Sequence, residues 1–486
     1  MSSPYRSRID RWAAPVLVLA TALHALPALT LPVATLDEII LLDYPDVVRR
    51  GATPHEDFYT VYARLGYDVL GSAYDVVAYS PHVERAVGLG YQVTVVLGVW
   101  ALCRRLGRRV AIGSGLLAVT LMPNDVTAFA WLGGLGLALW ALVLVRSESR
   151  RWAWLLGGVL AGLSIGWRYE MAVVVGLSLL PLVHRHRRAP FVLLGGVMGA
   201  APTVWHLFHV GEAAWGNLTG RMGVNFQLEP GSVPPHVHWG MAVGALALAV
   251  LVLRALRVRA REDWAWALLG LSVVPQAVQR IDVYHFGFAA VIVCPLAFAG
   301  GVDLVRRSDD GRARRLGVAG LVVLLSVPAL FAVGSAATAA TAPETGTVTS
   351  GSRSIRLPAD RVTDTQALLD DVREVVPAGS ALFLGSDQMG RTSFNAYPLY
   401  YLLSEDYEFN SYFLELAAGV AERDGSGLSA DIRRADALIL ARFDSATGDR
   451  LFPFAPRGFG EHDRTVREEF ELVRTYGRLS LWARRP

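Results

Sequence analysis

Apolar runs recur along most of this chain, separated by short polar connections. They are Trp12–Leu31, Ala86–Leu102, Val110–Leu121, Val126–Val145, Trp152–Trp167, Met171–Val183, Pro190–His209, Trp239–Leu253, Trp264–Val278, Val283–Gly301 and Leu316–Val333. A full crossing of the bilayer takes about 20 residues. The pattern therefore predicts eleven transmembrane helices, the third and sixth being short. The first run is too long for the apolar core of a secretory leader, and no small-residue cleavage site precedes Asp37, so it is expected to be retained.

Two segments interrupt the pattern. An outer loop over residues 32–85 is rich in acids and aromatics, and a second, near Val210–His238, carries Gly, Pro, Asn and His. Beyond the last run the pattern changes altogether. Residues 336–360, rich in Ala, Thr, Ser and Gly, read as a linker. Residues 361–486 then read as a small α/β domain. Helical spacing covers Thr363–Val376, Ala396–Leu403 and Ser411–Ala421. Short apolar strands are expected at Ala381–Gly385 and Ala437–Ala441, and a closing hairpin at Glu469–Tyr476 and Arg478–Arg484 around Gly477. The expected plan is a polytopic α-helical membrane domain over residues 1–335, a linker, and an extracytoplasmic α/β domain.

Composition supports a membrane protein. The 486 residues are 53% hydrophobic and only 18% charged, with a mean hydropathy of +0.36. A soluble chain of this size carries roughly 25% charged residues, and a disordered one carries too little apolar surface to match. The net charge of +3 gives a nucleic-acid partner no support. Every one of the 46 basic residues is Arg, and their placement says more than their number. Clusters at Arg6–Arg11, Arg104–Arg109, Arg146–Arg151, Arg185–Arg188, Arg254–Arg261 and Arg306–Arg315 fall in alternate connections. The opposite connections hold Arg49, Arg50, Arg64, Arg85, Arg168, Arg221 and Arg280. The positive-inside rule then puts the N-terminus in the cytoplasm and, with an odd span count, the C-terminal domain outside.

Candidate chemistry gathers on the outer side. Asp37 and Glu38 follow the first span directly, flanked by Leu36 and Ile39–Leu42. Carboxylates in an apolar setting are costly. They read as a general base for a hydroxyl proton or as solvated acids capping a surface helix. Glu56 and Asp57 form a second acidic pair, lining a cleft or simply turning the chain after Pro54. Arg168 and Glu170 lie between the fifth and sixth spans, where a guanidinium at that depth needs Glu170, a lipid phosphate or a ligand phosphate as partner. Arg280, Asp282 and His285 stand together between the ninth and tenth. Arg280 has the charge to neutralise a leaving phosphate, Asp282 to orient it, and His285 to touch a sugar or phosphate; the alternative is a polar belt at headgroup level. His206, His209, His236 and His238 match no metal-ligand spacing and read as interfacial. Asn124 and Asp125 read as a helix cap. Cys103 and Cys294 offer neither a disulfide frame nor a metal site. With no Walker loop in the chain, a nucleotide-driven pump is not expected.

Together these features resemble the GT-C glycosyltransferases. The similarity lies in a first span, Asp37-Glu38 in a large outer loop, and a G-x-x-P-x-x-D-F stretch at Gly51, Pro54, Asp57 and Phe58. It extends to Glu84-Arg85 at the second span, Arg168 after the fifth, and R-x-D-x-x-H at Arg280–His285. The pattern is most similar to the bacterial branch of protein mannosyltransferase-like and aminoarabinose transferase-like enzymes. It departs from that branch where Ala63 and Arg64 replace the Gly-Pro of a Tyr-Gly-Pro-Leu-x-Tyr pattern near Tyr62–Tyr67. The resemblance implies an inverting glycosyltransferase using a polyprenyl-phosphate-linked sugar at the outer membrane boundary. The acceptor is a glycan, glycolipid or protein of the cell envelope. Asp37 and Glu38 would be catalytic, Arg168 and Arg280 would meet the phosphate, and Asp57, Glu170, Asp282 and His285 would contact substrate. A divalent cation is an alternative counter-charge. A lipid or sugar transporter, or flippase, is a competing class, expected to hold its ionisable groups at mid-membrane. A non-catalytic envelope assembly protein is another, and would leave these groups without reason to converge.

Overall fold

A computed structural model describes residues 5–33, 36–58, 60–123, 125–146, 150–184, 187–212, 214–215, 235–279, 283–340, 344–389, 398–409, 427–442 and 460–486. The predicted Ser411–Ala421 helix, Arg221, Arg280, Asp282 and Asn124 lie outside the described residues.

Each of the eleven apolar runs is helical. They correspond to α1 (Tyr5–Ala25, extended by a 3-10 turn over Leu26–Thr30) and to α4 (Pro81–Cys103), α5 (Arg108–Leu121), α6 (Ala130–Val145) and α7 (Arg151–Ile165). The series continues with α8 (Met171–Val183), α9 (Ala189–Val210), α10 (Pro235–Val258), α11 (Arg261–Gln279), α12 (Val283–Arg306) and α13 (Gly311–Ala340). By length and composition, six are able to cross a membrane: α1, α4, α9, α10, α12 and α13; α6, α7 and α8 are shorter apolar helices. Between α1 and α4 the outer loop folds into two further helices, α2 (Leu36–Arg49) and α3 (Arg64–Val76). Their positions mix apolar and acidic residues too closely for hydropathy to reveal, yet α2 buries Ile39, Ile40, Leu41, Leu42 and Tyr44 almost completely.

Sharp local signals set several helix ends. Ser80 caps α4, accepting from the Val83 amide at 3.4 Å, with Pro81 at the first helical position. Small residues let α7 and α9 touch backbone to backbone. A Cβ on Gly158 would stand 2.2 Å from the Val192 carbonyl oxygen, and one on Gly199 would stand 2.1 Å from that of Val159. Close approach of this kind is a device of helix association in bilayers, where apolar burial alone gives little drive.

The C-terminal region corrects one boundary. Residues 345–358, expected to be linker, form a hairpin of β1 (Thr345–Ser350) and β2 (Arg353–Pro358) that turns at Gly351 with φ of 58°. Its Thr/Ser-rich strands alternate in burial, placing Val348, Ile355 and Leu357 inside. Composition read as flexible was strand periodicity. Next come α14 (Ala359–Val375), β3 (Ala381–Ser386), α15 (Pro398–Leu403), β4 (Glu408–Phe409), α16 (Leu428–Arg434), β5 (Ala437–Ala441), α17 (Glu461–Glu469), β6 (Phe470–Tyr476) and β7 (Leu479–Arg484). The five-stranded sheet runs β4-β3-β5-β7-β6, with β4, β3 and β5 parallel and the other pairings antiparallel.

This α/β unit seats on the outer loop through one continuous core. Val33, Tyr44, Tyr67 and Leu70 of the loop share it with Val348, Leu357, Tyr400 and Leu403. Polar contacts fix the seating. The Val33 amide donates to the Arg356 carbonyl at 3.0 Å, and the Arg356 guanidinium donates to the Thr30 carbonyl at 2.9 Å. Arg50 donates to the Ser404 carbonyl at 3.2 Å. Arg353 lies over the rings of Tyr79 and Tyr401 at 4.9 and 5.3 Å. The loop helices are thus held between the membrane bundle and the C-terminal unit.

Candidate active site

Asp37 and Glu38 open α2, where negative charge is favoured by the helix dipole. Successive helix positions point differently, and the two carboxylates meet different surroundings. Glu38 is buried and pairs with Arg85, Nε to Oε1 at 2.6 Å. Arg85 also donates to the Leu29 and Leu31 carbonyls at 2.9 and 3.0 Å, tying the end of α1 to the start of α4. Asp37 is half-buried. Its Oδ1 accepts from the Tyr62 hydroxyl at 2.8 Å.

Tyr62 links Asp37 to the predicted phosphate-binding residue. The Arg168 guanidinium sits 5.5 Å from the centre of the Tyr62 ring and 5.8 Å from that of Trp131. It pairs with Glu170 through Nη2 to Oε1 at 2.7 Å. Arg168 is 5% exposed, whereas the Glu170 side chain is 51% exposed. The cation is therefore fixed in an aromatic cradle while its carboxylate partner stands at the exposed rim. The turn holding Arg168 is anchored by the Ala63 amide on the Trp167 carbonyl and the Gly66 amide on the Gly166 carbonyl, each at 3.2 Å.

Beneath Asp37 lies an acidic layer. Glu84 is fully buried and accepts from the Ala128 amide at 2.6 Å through Oε1. Asp125 accepts from the Thr127 amide at 2.9 Å, and burial pushes its carboxyl up from the usual range. Glu84 Oε2, Asp125 Oδ2 and Gln92 Oε1 are buried without a hydrogen-bond partner. Glu84 stood in the sequence beside Arg85 at the start of an apolar run, and Tyr62 in the stretch resembling the Tyr-Gly-Pro-Leu-x-Tyr pattern, whereas Trp131 carried no signal beyond ordinary aromatic content.

Two further predicted residues lie among the described ones. Asp57 is exposed in the turn after Pro54, its Oδ2 accepting from the Thr53 amide at 2.6 Å. His285 is half-buried near the Phe288 ring at 6.4 Å. Asp37, Glu38, Arg168 and Glu170 thus belong to one connected neighbourhood. Among the described residues no three His, Cys, Asp or Glu side chains stand together as a metal site, so no step is assigned to a divalent cation.

Six of the described helices are long and apolar enough to cross a membrane, and the fold as a whole is shared with two solved proteins. The chain is similar, at 11% identity with a TM-score of 0.58, to ArnT from Cupriavidus metallidurans bound to undecaprenyl phosphate, over 98% of each chain. The apo form of the same ArnT matches at 13% identity and a TM-score of 0.57, again over 98% of each chain. The Archaeoglobus fulgidus oligosaccharyltransferase tethered to an acceptor peptide containing the NVT sequon matches at 10% identity and a TM-score of 0.53, over 99% of this chain and 75% of that one. At these identities the likeness is one of fold. No family model and no curated protein matches the sequence.

Proposed function

We propose that the chain is an inverting glycosyltransferase that moves a sugar from a polyprenyl-phosphate carrier to a cell-envelope acceptor at the outer face of the membrane. It is read as belonging with the protein mannosyltransferase-like and aminoarabinose transferase-like bacterial branch. The observation that carries the proposal is the Asp37–Tyr62–Arg168 assembly, which joins a half-buried carboxylate to a buried guanidinium through one tyrosine.

In this reaction Asp37 takes the proton from an acceptor hydroxyl as that oxygen attacks the anomeric carbon. The bond from that carbon to the phosphate oxygen breaks, its electron pair stays on the lipid phosphate, and the sugar configuration inverts. Arg168 meets the charge that grows on the phosphate, exchanging Glu170 for the substrate anion. A preorganised contact of this kind is commonly worth about 3 kcal/mol in the transition state. Glu38 is committed to Arg85, so its contribution is to fix the first turn of α2 and hold Asp37 in place. The donor supplies the energy of transfer, which fits the lack of a nucleotide-binding motif.

Arginine asymmetry supports an orientation with the N-terminus in the cytoplasm, eleven crossings, and the α2–α3 loop and the C-terminal unit outside. A polyprenyl tail stays in the bilayer, so its phosphosugar waits at headgroup level, where that loop lies. Comparing the lipid-linked glycans of a deletion strain with its parent tests the function. Accumulation of a polyprenyl-phosphate sugar together with a truncated envelope glycan is expected. Unchanged glycans, with lipid or sugar flux in proteoliposomes, would establish a transporter instead.

A further inference from the structure

One residue beyond Arg168 begins a second polar group that the reaction described so far does not use. The Tyr169 hydroxyl and His55 Nε2 stand 2.9 Å apart. The His55 ring lies 5.8 Å from that of His206, inclined by 36°. His206 belongs to α9, and Thr203 precedes it by one turn on the same buried face. His55 is 4% exposed, and Thr203 and His206 are each 5% exposed. Both His206 Nε2 and Thr203 Oγ1 are buried with no hydrogen-bond partner.

Thr203 departs from the habit of hydroxyls in this bundle. Hydroxyl side chains in apolar helices normally donate back to the carbonyl one turn earlier. Thr21 does so to Leu17 at 2.8 Å, Thr94 to Gly90 at 2.7 Å, and Ser178 to Val174 at 2.6 Å. Thr203 instead directs its oxygen to the α7–α8 turn, where a Cβ on Gly166 would stand 3.0 Å from it. That turn leads straight into Trp167 and Arg168. A buried hydroxyl and a buried imidazole nitrogen, both lacking partners and both beside the phosphate-facing arginine, fit a ligand that completes them.

The chemistry of that ligand is restricted. Burial, reinforced by His206, lowers the His55 pKa to about 4, so near neutral pH it is an uncharged ring with one donor and one acceptor. Such a ring gives an anion no charge to pair with, and Arg168 already supplies one next door. Two imidazoles lack the third ligand of a metal site among the described residues. Groups that both donate and accept, carry no charge and recur every few ångströms are the hydroxyls of a sugar.

We propose that His55, Thr203 and His206 bind the hydroxyl groups of the donor's sugar, alongside the phosphate that Arg168 receives. The assignment rests on the glycosyl-transfer reading and adds to it the part of the site that distinguishes a sugar-bearing lipid from a bare one. The test uses the full chain in lipid nanodiscs. It compares binding of undecaprenyl phosphate with that of undecaprenyl-phosphoryl mannose, glucose and arabinose. The wild-type chain is expected to bind at least one sugar-bearing lipid more tightly than the bare one. His206→Ala and Thr203→Val are each expected to remove about 3- to 10-fold of that gain, the worth of one hydrogen bond, and to leave bare-lipid affinity unchanged. Thr203→Ser, which keeps the hydroxyl, is expected to retain the gain and so separates recognition from packing.

The sugar-binding assignment is overturned if the gain survives both substitutions, or if bare and sugar-bearing lipids weaken equally. It is also overturned if only the acceptor KM moves, or if Zn2+ binds the wild type and not His206→Ala. A chain that binds bare lipid but gains nothing from any of the three sugars overturns the sugar-binding assignment alone. A chain that binds no polyprenyl phosphate at all overturns the glycosyl-transfer reading with it.

Discussion

The two ends of the helical bundle hold buried charge in opposite ways. At the end away from the C-terminal unit, Arg254 donates Nε to Asp263 at 2.9 Å and also pairs with Asp303. Arg105 pairs with Glu262 and Asp263, and Arg307 reaches Asp303 at 2.6 Å. Glu262, Asp263 and Asp303 each carry at least one guanidinium, and the chain of pairs ties α10, α11 and α12 to the α4–α5 connection. At the other end, among the described residues, Glu38 alone of four neighbouring acids has a guanidinium partner, Arg85. Asp37 rests on a tyrosine hydroxyl, Glu84 on a backbone amide and Asp125 on Thr127. A closed ladder of pairs stabilises packing, whereas buried carboxylates with no guanidinium partner among the described residues are costly to keep and fit the site proposed above.

Breaking the open end should cost activity far more than stability. Asp37→Asn is expected to lower the rate of transfer by about 100- to 10,000-fold, the usual worth of a general base. Thermal unfolding and donor binding should change little. Radiolabelled sugar transfer in proteoliposomes measures the first and calorimetry the second; a variant that retains full transfer would refute the base assignment. Arg168→Gln should follow, at about 100- to 1,000-fold in kcat. Arg168→Lys should recover little of it, because a point charge cannot fill the planar cradle between Tyr62 and Trp131.

The contrast between the ends also shows how far the primary structure can be read. The apolar runs disclosed where helices lie because a long uniformly hydrophobic segment has few other ways to satisfy its backbone, and six of those helices are long and apolar enough to cross a membrane. The arginine clusters fall in alternate connections, the pattern on which the proposed orientation rests. Both are properties of neighbouring residues. The Asp37–Tyr62 bond spans 25 positions and the His55–Tyr169 contact 114, so nothing local announces either. Helices α2 and α3 were hidden because their buried faces meet a protein domain and not lipid, which leaves them mixed in polarity. The β1–β2 hairpin was hidden for the converse reason, since its Thr, Ser and Gly content resembles that of a linker while Val348, Ile355 and Leu357 alternate inward.

At the closed end the order of effects should reverse. Arg254 and Asp263 have side chains only 3% and 1% exposed. Arg254→Met leaves Asp263 and Asp303 short of a partner in an apolar bundle. Removing one member of a buried pair costs about 3–5 kcal/mol. The yield of folded protein and the midpoint of thermal unfolding should fall accordingly, while transfer per folded molecule stays near the wild-type value. A specific activity reduced as much as that of Arg168→Gln would show that the two ends are not functionally separate.

The smallest expected effect lies at the joint between the open end and the C-terminal unit, and it depends on pH. Asp43 is buried on α2, its Oδ1 accepting from the Tyr79 hydroxyl at 2.7 Å while Oδ2 has no partner. Burial raises its pKa well above the ordinary carboxylate value, with Asp46 adding to the rise; the bond from Tyr79 and the charges of Arg353 and Arg50 oppose it. A carboxyl whose pKa is higher in the folded state than in the unfolded one binds more protons when folded. Stability is therefore full below the unfolded pKa and falls as pH climbs toward the folded one. Asp43→Asn keeps an oxygen for Tyr79 and removes the titration. It should raise the unfolding midpoint near pH 7, by an amount that shrinks as pH is lowered toward 4. Because α2 also carries Asp37, the same variant should leave the pH profile of transfer unchanged if the joint only holds the helix. A profile displaced by Asp43→Asn would mean that this buried acid shares its proton with the site.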